Sequence, residues 1–147
     1  MPLKFSLQAV LDYHHNRVEL LEMELGRLRH EAREVQMQID ECRARRQELF
    51  DELRQPPNQM LDLERVLQLR RDIQRVERSL GQHEQTHAHL TQQIAAQLEK
   101  VVAARQDEAT LKKLKDKELD AYLAELARRE SSQRDDIYIA QAFRSKH

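Results

Sequence analysis

Three histidines crowd the stretch SLGQHEQTHAHL, Ser79 to Leu90. Residues four apart share a helix face, so His83 and His87 present two imidazoles at a true zinc-ligand spacing. A structural zinc site needs two further ligands. The pairing arithmetic below sets Ala32 and Leu28 opposite the pair, and the single cysteine, Cys42, lies more than two helical turns away. His83 and His87 therefore read as polar positions in a coiled-coil seam, which fix register at some cost in stability. His89 falls off the seam and meets solvent. Gly81 is also off it, where a missing side chain marks either close approach by a partner or a simple bend.

No other constellation carries chemistry. The sequence has no Gly-rich phosphate loop, no nucleophile elbow and no Cys/His set at catalytic spacing. Carboxylates abound, but two paired helices offer no pocket to desolvate a carboxylate pair. The expectation is a protein that is not an enzyme and holds no cofactor.

The elements must then be read for what they present. Charged residues make up 35% of the 147, there is no Trp, and Gly and Pro number only 2 and 3; this is the profile of long helices rather than of a globule. The 25 basic and 26 acidic side chains are mixed along the chain. No basic face stands out for nucleic acid, since RARR at Arg43 to Arg46 sits among acids. One cysteine excludes an internal disulfide and fits a reducing compartment. Gln8 and Asp12 interrupt any signal-peptide core, and apolar runs of about four residues cannot span a bilayer.

Alternate steps of four and three from Leu7 give Leu11, His14, Val18, Leu21, Leu25, Leu28, Ala32, Val35, Ile39, Cys42, Arg46, Leu49 and Leu53. This is a coiled-coil seam over about seven heptads. It stops at RQPPNQM, Arg54 to Met60, where two prolines remove backbone donors and clash with a continuing helix. A second seam runs Val66, Leu69, Ile73, Val76, Leu80, His83, His87, Leu90, Ile94, Gln97, Val101 and Ala104. A short connection favours antiparallel neighbours. A turn near Pro57 and Asn58 pairs residues whose numbers sum to about 115, and each seam position then lands on a seam position. The expected fold is all-α: a long antiparallel two-helix coiled-coil hairpin with a C-terminal helical overhang. Residues 1–147 form one elongated domain, with a helix at about 5–54, a linker at 55–60 and a helix at about 61–143.

The same arithmetic pairs Leu7 with Glu108, so almost forty residues have no internal partner. Leu111, Leu114, Leu119, Tyr122, Leu123 and Leu126 still carry an apolar stripe through TLKKLKDKELDAYLAELARRE, although the heptad phase slips after Val102 and Ser131 to Asp136 can break the last helix. If helical throughout, the overhang projects roughly 45 to 55 Å. An apolar stripe in water marks a partner surface. That partner is either a foreign protein, with the chain monomeric, or a second copy in a homodimer or generic coiled-coil scaffold.

In the order and spacing of several segments over nearly its whole length, the chain resembles the flagellar type III export protein family FliJ and the related YscO-like stalk proteins of injectisomes. The opening FSLQAVLDYHHNRVELLEMEL, with Phe5, Leu7, Val10 and Leu11, looks like the family's start. DIQRVERSLGQHEQ, Asp72 to Gln85, is similar to the segment after its central linker. LKKLKDKELDAYLAEL and RDDIYIAQAF look like its charged C-terminal helix. The resemblance implies a non-enzymatic, soluble export component resembling the gamma stalk of rotary ATPases. Its implied partners are a hexameric export ATPase (FliI-like), the cytoplasmic domain of the export gate protein (FlhA-like) and export chaperones. The implied location is cytoplasmic, peripheral to the inner-membrane export apparatus. The family's gate-facing surface maps onto Gln38, Cys42, Arg45 and Leu49 in the first helix and onto Asp72, Val76, Ser79 and His83 in the second. Gln38 and His83 match its residues, whereas Asp72 stands where the family has Phe. The implied ATPase-facing surface is the overhang.

Overall fold

The computed structural model describes residues 7–54 and 62–145. Two helices account for nearly all of them: α1, Gln8–Leu53, and α2, Leu63–Ser145, packed antiparallel as a hairpin. The linker predicted at 55–60 and the family-start residue Phe5 lie outside the described residues. Asp62 caps α2: its Oδ1 accepts from the Glu64 N–H at 3.1 Å, and its carbonyl accepts from the Val66 N–H at 3.1 Å. The cap satisfies first-turn donors, and Glu64 adds a negative charge beside the helix N-terminus.

Two compact units divide the described chain: Leu20–Val101, and the residues 1–19 taken with 102–147. In the first unit Leu49, Leu69 and Ile73 form a buried cluster with Phe50, Leu53 and Val76 packed against it. Gln97, buried at a seam position, donates from Nε2 to the Leu21 carbonyl at 3.1 Å. This buried polar seam residue is thus satisfied rather than stranded. In the second unit Leu11, Val18, Ala104 and Glu108 are buried.

Burial follows both seams. All the seam residues from Leu11 to Leu53 and from Val66 to Ala104 are buried or half-buried. The contacts fall slightly beyond the arithmetic: Cys42 shares a cleft with Val76 where Ile73 was expected, and the Leu21 carbonyl meets Gln97 where Ile94 was expected. Counting Cα positions ignores side-chain lean. Helical side chains point toward their own N-terminus, so in an antiparallel pair each one reaches a partner further along the other helix.

Two sequence expectations change. Burial keeps its step past Val102 through Ala104, Glu108 and Leu111, so the seam continues in phase where an apolar pattern alone suggested a slip. A carboxylate holds one of those positions. The helix also runs unbroken through Ser131 to Asp136. That stretch contains neither Gly nor Pro, and Ser, Gln and Asp cost only tenths of a kcal/mol each in helix propensity, about 0.7 at most. Among the described residues α1 begins at Gln8.

Gly81 sits inside continuous helix, and a Cβ built there meets nothing within 4 Å. No close approach inside this chain requires the glycine. Gly81→Ala is expected to raise stability by about 0.5–1 kcal/mol, read as a higher denaturation midpoint at unchanged slope. A partner that packs directly on Gly81 would reveal itself by losing affinity for the same variant.

Candidate partner-binding surfaces

The eight residues that the resemblance maps as gate-facing all belong to the Leu20–Val101 unit, and Cys42, Arg45, Leu49, Asp72, Val76 and Ser79 line two clefts between the helices. An open cleft between the helices is lined by Glu41, Cys42 and Arg45 from α1 and by Arg75, Val76 and Ser79 from α2. A second cleft shares Arg45 and adds Leu49, Glu52, Asp72 and their neighbours. Arg45 donates to Glu48 at 3.1 Å and Arg65 to Glu52 at 3.4 Å, so the rim carries exposed ion pairs beside an apolar floor. Such pairs contribute little to stability, about 0–1 kcal/mol, and remain accessible to a partner.

Exposure separates the eight. Gln38 and Arg45 are exposed, and Cys42, Asp72, Val76, Ser79 and His83 are half-buried. Val76 and His83 are thus seam residues that still reach the surface. Leu49 is only 1% exposed and belongs to the buried cluster, where it supports the face from beneath. Spacing alone does not mark Glu41 and Arg75 as cleft walls, because exposed charged positions on a helix look alike until the second helix is placed.

His83 and His87 are both half-buried on one face of α2. Among the described residues no group of three or more His, Cys, Asp or Glu side chains is arranged to hold a metal ion.

The overhang residues behave differently. Leu111 is half-buried at the last seam step, Tyr122 is half-buried, and Leu114, Leu119, Leu123 and Leu126 are exposed. Further along, Ile137, Tyr138, Ile139 and Phe143 are also exposed, and Tyr138, Ile139, Ala142 and Phe143 line a shallow apolar recess. Sequence reasoning stopped at Leu126 because the polar run RRESSQRDD interrupts the stripe.

Where α1 begins, a polar clasp joins the two helices. His15 Nδ1 donates to Glu108 Oε1 at 2.8 Å, His15 Nε2 faces Glu19 Oε1 at 3.1 Å, and Lys112 Nζ lies 3.2 Å from Glu108 Oε1. Both ring nitrogens face carboxylates, which suits the doubly protonated imidazolium. The hydrogen bond to Glu108, reinforced by its charge and that of Glu19, raises the His15 pKa above its usual 6.5. The bond to His15, and then Lys112, outweighs partial burial and lowers the Glu108 carboxyl below its usual 4.5.

These directions fix a pH window. A raised histidine contributes fully below about pH 6.5 and loses its contribution as pH rises through the folded-state value; a lowered carboxylate contributes above about pH 4.5 and loses it as pH falls. Melting at low salt is therefore expected to weaken from pH 6 to pH 8.5, and His15→Gln to flatten that slope. An unchanged slope in the variant would show that the clasp does not couple to folding.

The class of protein is now defined. Two long helices, an open two-helix face and an apolar helical extension make an all-helical coiled-coil protein. No helix among the described residues is long and apolar enough to cross a membrane. Residues 3–147 match the model of the family described as Flagellar FliJ protein, and the chain belongs to that family. It is a coiled-coil protein of flagellar export. No match was found among curated proteins or among solved structures.

Proposed function

We propose that this chain is a non-catalytic stalk and adaptor of the flagellar export apparatus. It engages the hexameric export ATPase through the α2 overhang and the cytoplasmic domain of the export gate through the two-helix face. In doing so it promotes ATPase assembly and activity and takes part in handling export chaperones. It works in the cytoplasm at the inner-membrane apparatus.

The observation that carries the reading is the overhang. In a chain of the FliJ family, α2 continues beyond the start of α1 with Leu114, Leu119, Leu123 and Leu126 exposed, each at least 40%. Exposed apolar rows on a helix are costly unless a partner covers them, at roughly 25 cal/mol per Å². The face containing Gln38 and His83 supports the second contact, because the half-buried His83 lies one helical turn from Ser79 at the open cleft.

The gate contact is tested with His83→Ala. Affinity for the gate's cytoplasmic domain is expected to fall by about 1–2 kcal/mol, roughly 5- to 30-fold, while stability changes by under about 1 kcal/mol because the ring is only half-buried. A lowered melting temperature with intact gate binding would return His83 to a packing role. Purified chain that binds neither the cognate ATPase nor the gate domain would sink the proposal as a whole.

A further inference from the structure

Where α1 begins, the seam that holds it to α2 is poor in apolar contact. Within the unit formed by residues 1–19 and 102–147, Leu11, Val18 and Ala104 are the apolar side chains buried among the described residues. Two other seam positions of this unit are polar. Glu108 is only 8% exposed, and His14 Nδ1 is buried with no hydrogen-bond partner among the described residues. Both groups regain hydration if the first turns of α1 lift from α2, because a buried carboxylate and an unpaired buried nitrogen are each costly to keep from water. Little apolar area opposes that lifting, so polar contacts decide the balance.

The clasp supplies those contacts, and its two cations differ in kind. Lys112 Nζ lies 3.2 Å from Glu108 Oε1 and four residues along the same helix, so this contact survives whether or not α1 is docked. His15 reaches Glu108 from α1 at 2.8 Å and leaves with it. Its other nitrogen faces Glu19 at 3.1 Å. Sequence spacing puts Asp12 one turn before His15 on α1 and Arg105 one turn before Glu108 on α2. Of these residue types, histidine is the one that titrates between pH 6 and pH 8. A protonated imidazole donates to both carboxylates at once. A neutral one has a single N–H, so whichever tautomer it adopts, a nitrogen lone pair is turned toward a carboxylate.

We propose that the first three turns of α1, residues 8–19, form a detachable arm whose docking on α2 is governed by proton occupancy of His15. Protonated, His15 bridges Glu108 and Glu19 and holds the arm down. Neutral, it loses one of the two bonds, and the arm lifts more often. The direction agrees with the raised His15 pKa: the hold is complete below about pH 6.5 and is lost as pH rises through the folded-state value. Each lifting frees Ala104, Glu108 and Leu111, so the unpaired part of α2 lengthens by about ten residues, roughly 15 Å. The length of the single-helix extension is thus adjustable without any partner.

Amide hydrogen exchange of the full-length chain at low salt, resolved by residue and corrected for intrinsic rates, tests the arm. Amides from Leu11 to Val18 are expected to be about tenfold or more less protected than those from Ile39 to Leu49. Their protection should change little in dilute urea, the mark of a part opening rather than the whole. From pH 6 to pH 8 it should fall about two- to fivefold, the effect of one exposed charged pair. His15→Gln keeps a donor but does not titrate, and should abolish that fall; His14→Gln should leave it in place. Equal urea dependence in the two segments would overturn the arm, because α1 would then leave α2 only as the whole hairpin unfolds. A wild-type protection that ignores pH, a fall that persists in His15→Gln, or one that vanishes in His14→Gln would overturn His15 as the controlling group.

Discussion

A chain ending at Leu111 is expected to lose stimulation of the cognate export ATPase completely while remaining helical. The seam explains why the two properties separate. Burial between the helices ends at Leu111, and beyond it, among the described residues, only Tyr122 and Glu125 are even half-covered. Deleting residues 112–147 removes four exposed leucines and the exposed Ile137, Tyr138, Ile139 and Phe143, none of which is buried against α1. It also removes Lys112, one of the Glu108 contacts, but leaves His15 in place. Folding should therefore survive, since the seam through Leu111 and the His15–Glu108 bond are both kept. ATPase turnover measured with increasing full-length or truncated chain gives the answer. Full stimulation by the truncated chain would defeat the assignment of the overhang as the ATPase contact.

The second large effect is expected at Leu49. Its side chain is 1% exposed and packed with Leu69 and Ile73. Leu49→Ala removes three buried carbons and leaves a void that two rigid helices cannot easily close, so stability should fall by about 2–5 kcal/mol. Urea denaturation monitored by helicity measures the loss. Leu123→Ala is the matched control: the same atoms are removed where the side chain is 51% exposed, and the expected change is within about 0.5 kcal/mol. ATPase stimulation should order the pair oppositely, with Leu123→Ala impaired and Leu49→Ala active below its melting transition. If Leu49→Ala instead abolished gate binding without loss of stability, Leu49 would be a contact residue and not a support beneath the face.

Most of the fold was legible because a coiled coil is nearly a one-dimensional object. Its core repeats along the chain every three to four residues, so Val18, Leu25, Leu28, Ile39 and Leu49 announce their burial by spacing alone. The same local regularity explains the antiparallel arrangement, since a connection of a few residues leaves two long helices little choice. The family resemblance was likewise carried by the order of local patterns, and the family match spans nearly the whole chain.

The surfaces were only half legible. Sequence placed Gln38, Cys42, Arg45, Asp72, Val76, Ser79 and His83 together by analogy, but it could not say that Cys42 and Val76 share a cleft walled by Glu41 and Arg75. That depends on how far each side chain leans across the interface. Spacing did set Leu49 on the seam and Arg45 off it, in conflict with a mapped surface that counts both as contacts.

By itself, then, the sequence determined the two helices, their seams and the existence of an unpartnered leucine row, because each of these follows from local periodicity. Only the tertiary structure decided that Glu108 is a tolerated seam residue and not the start of a slipped phase. A carboxylate at an apolar position is a defect in one dimension. It becomes a clasp only when His15, 93 positions away, and Lys112 are brought within hydrogen-bonding reach. Long-range proximity of charge is a property of the packed pair, and no repeat in either helix encodes it.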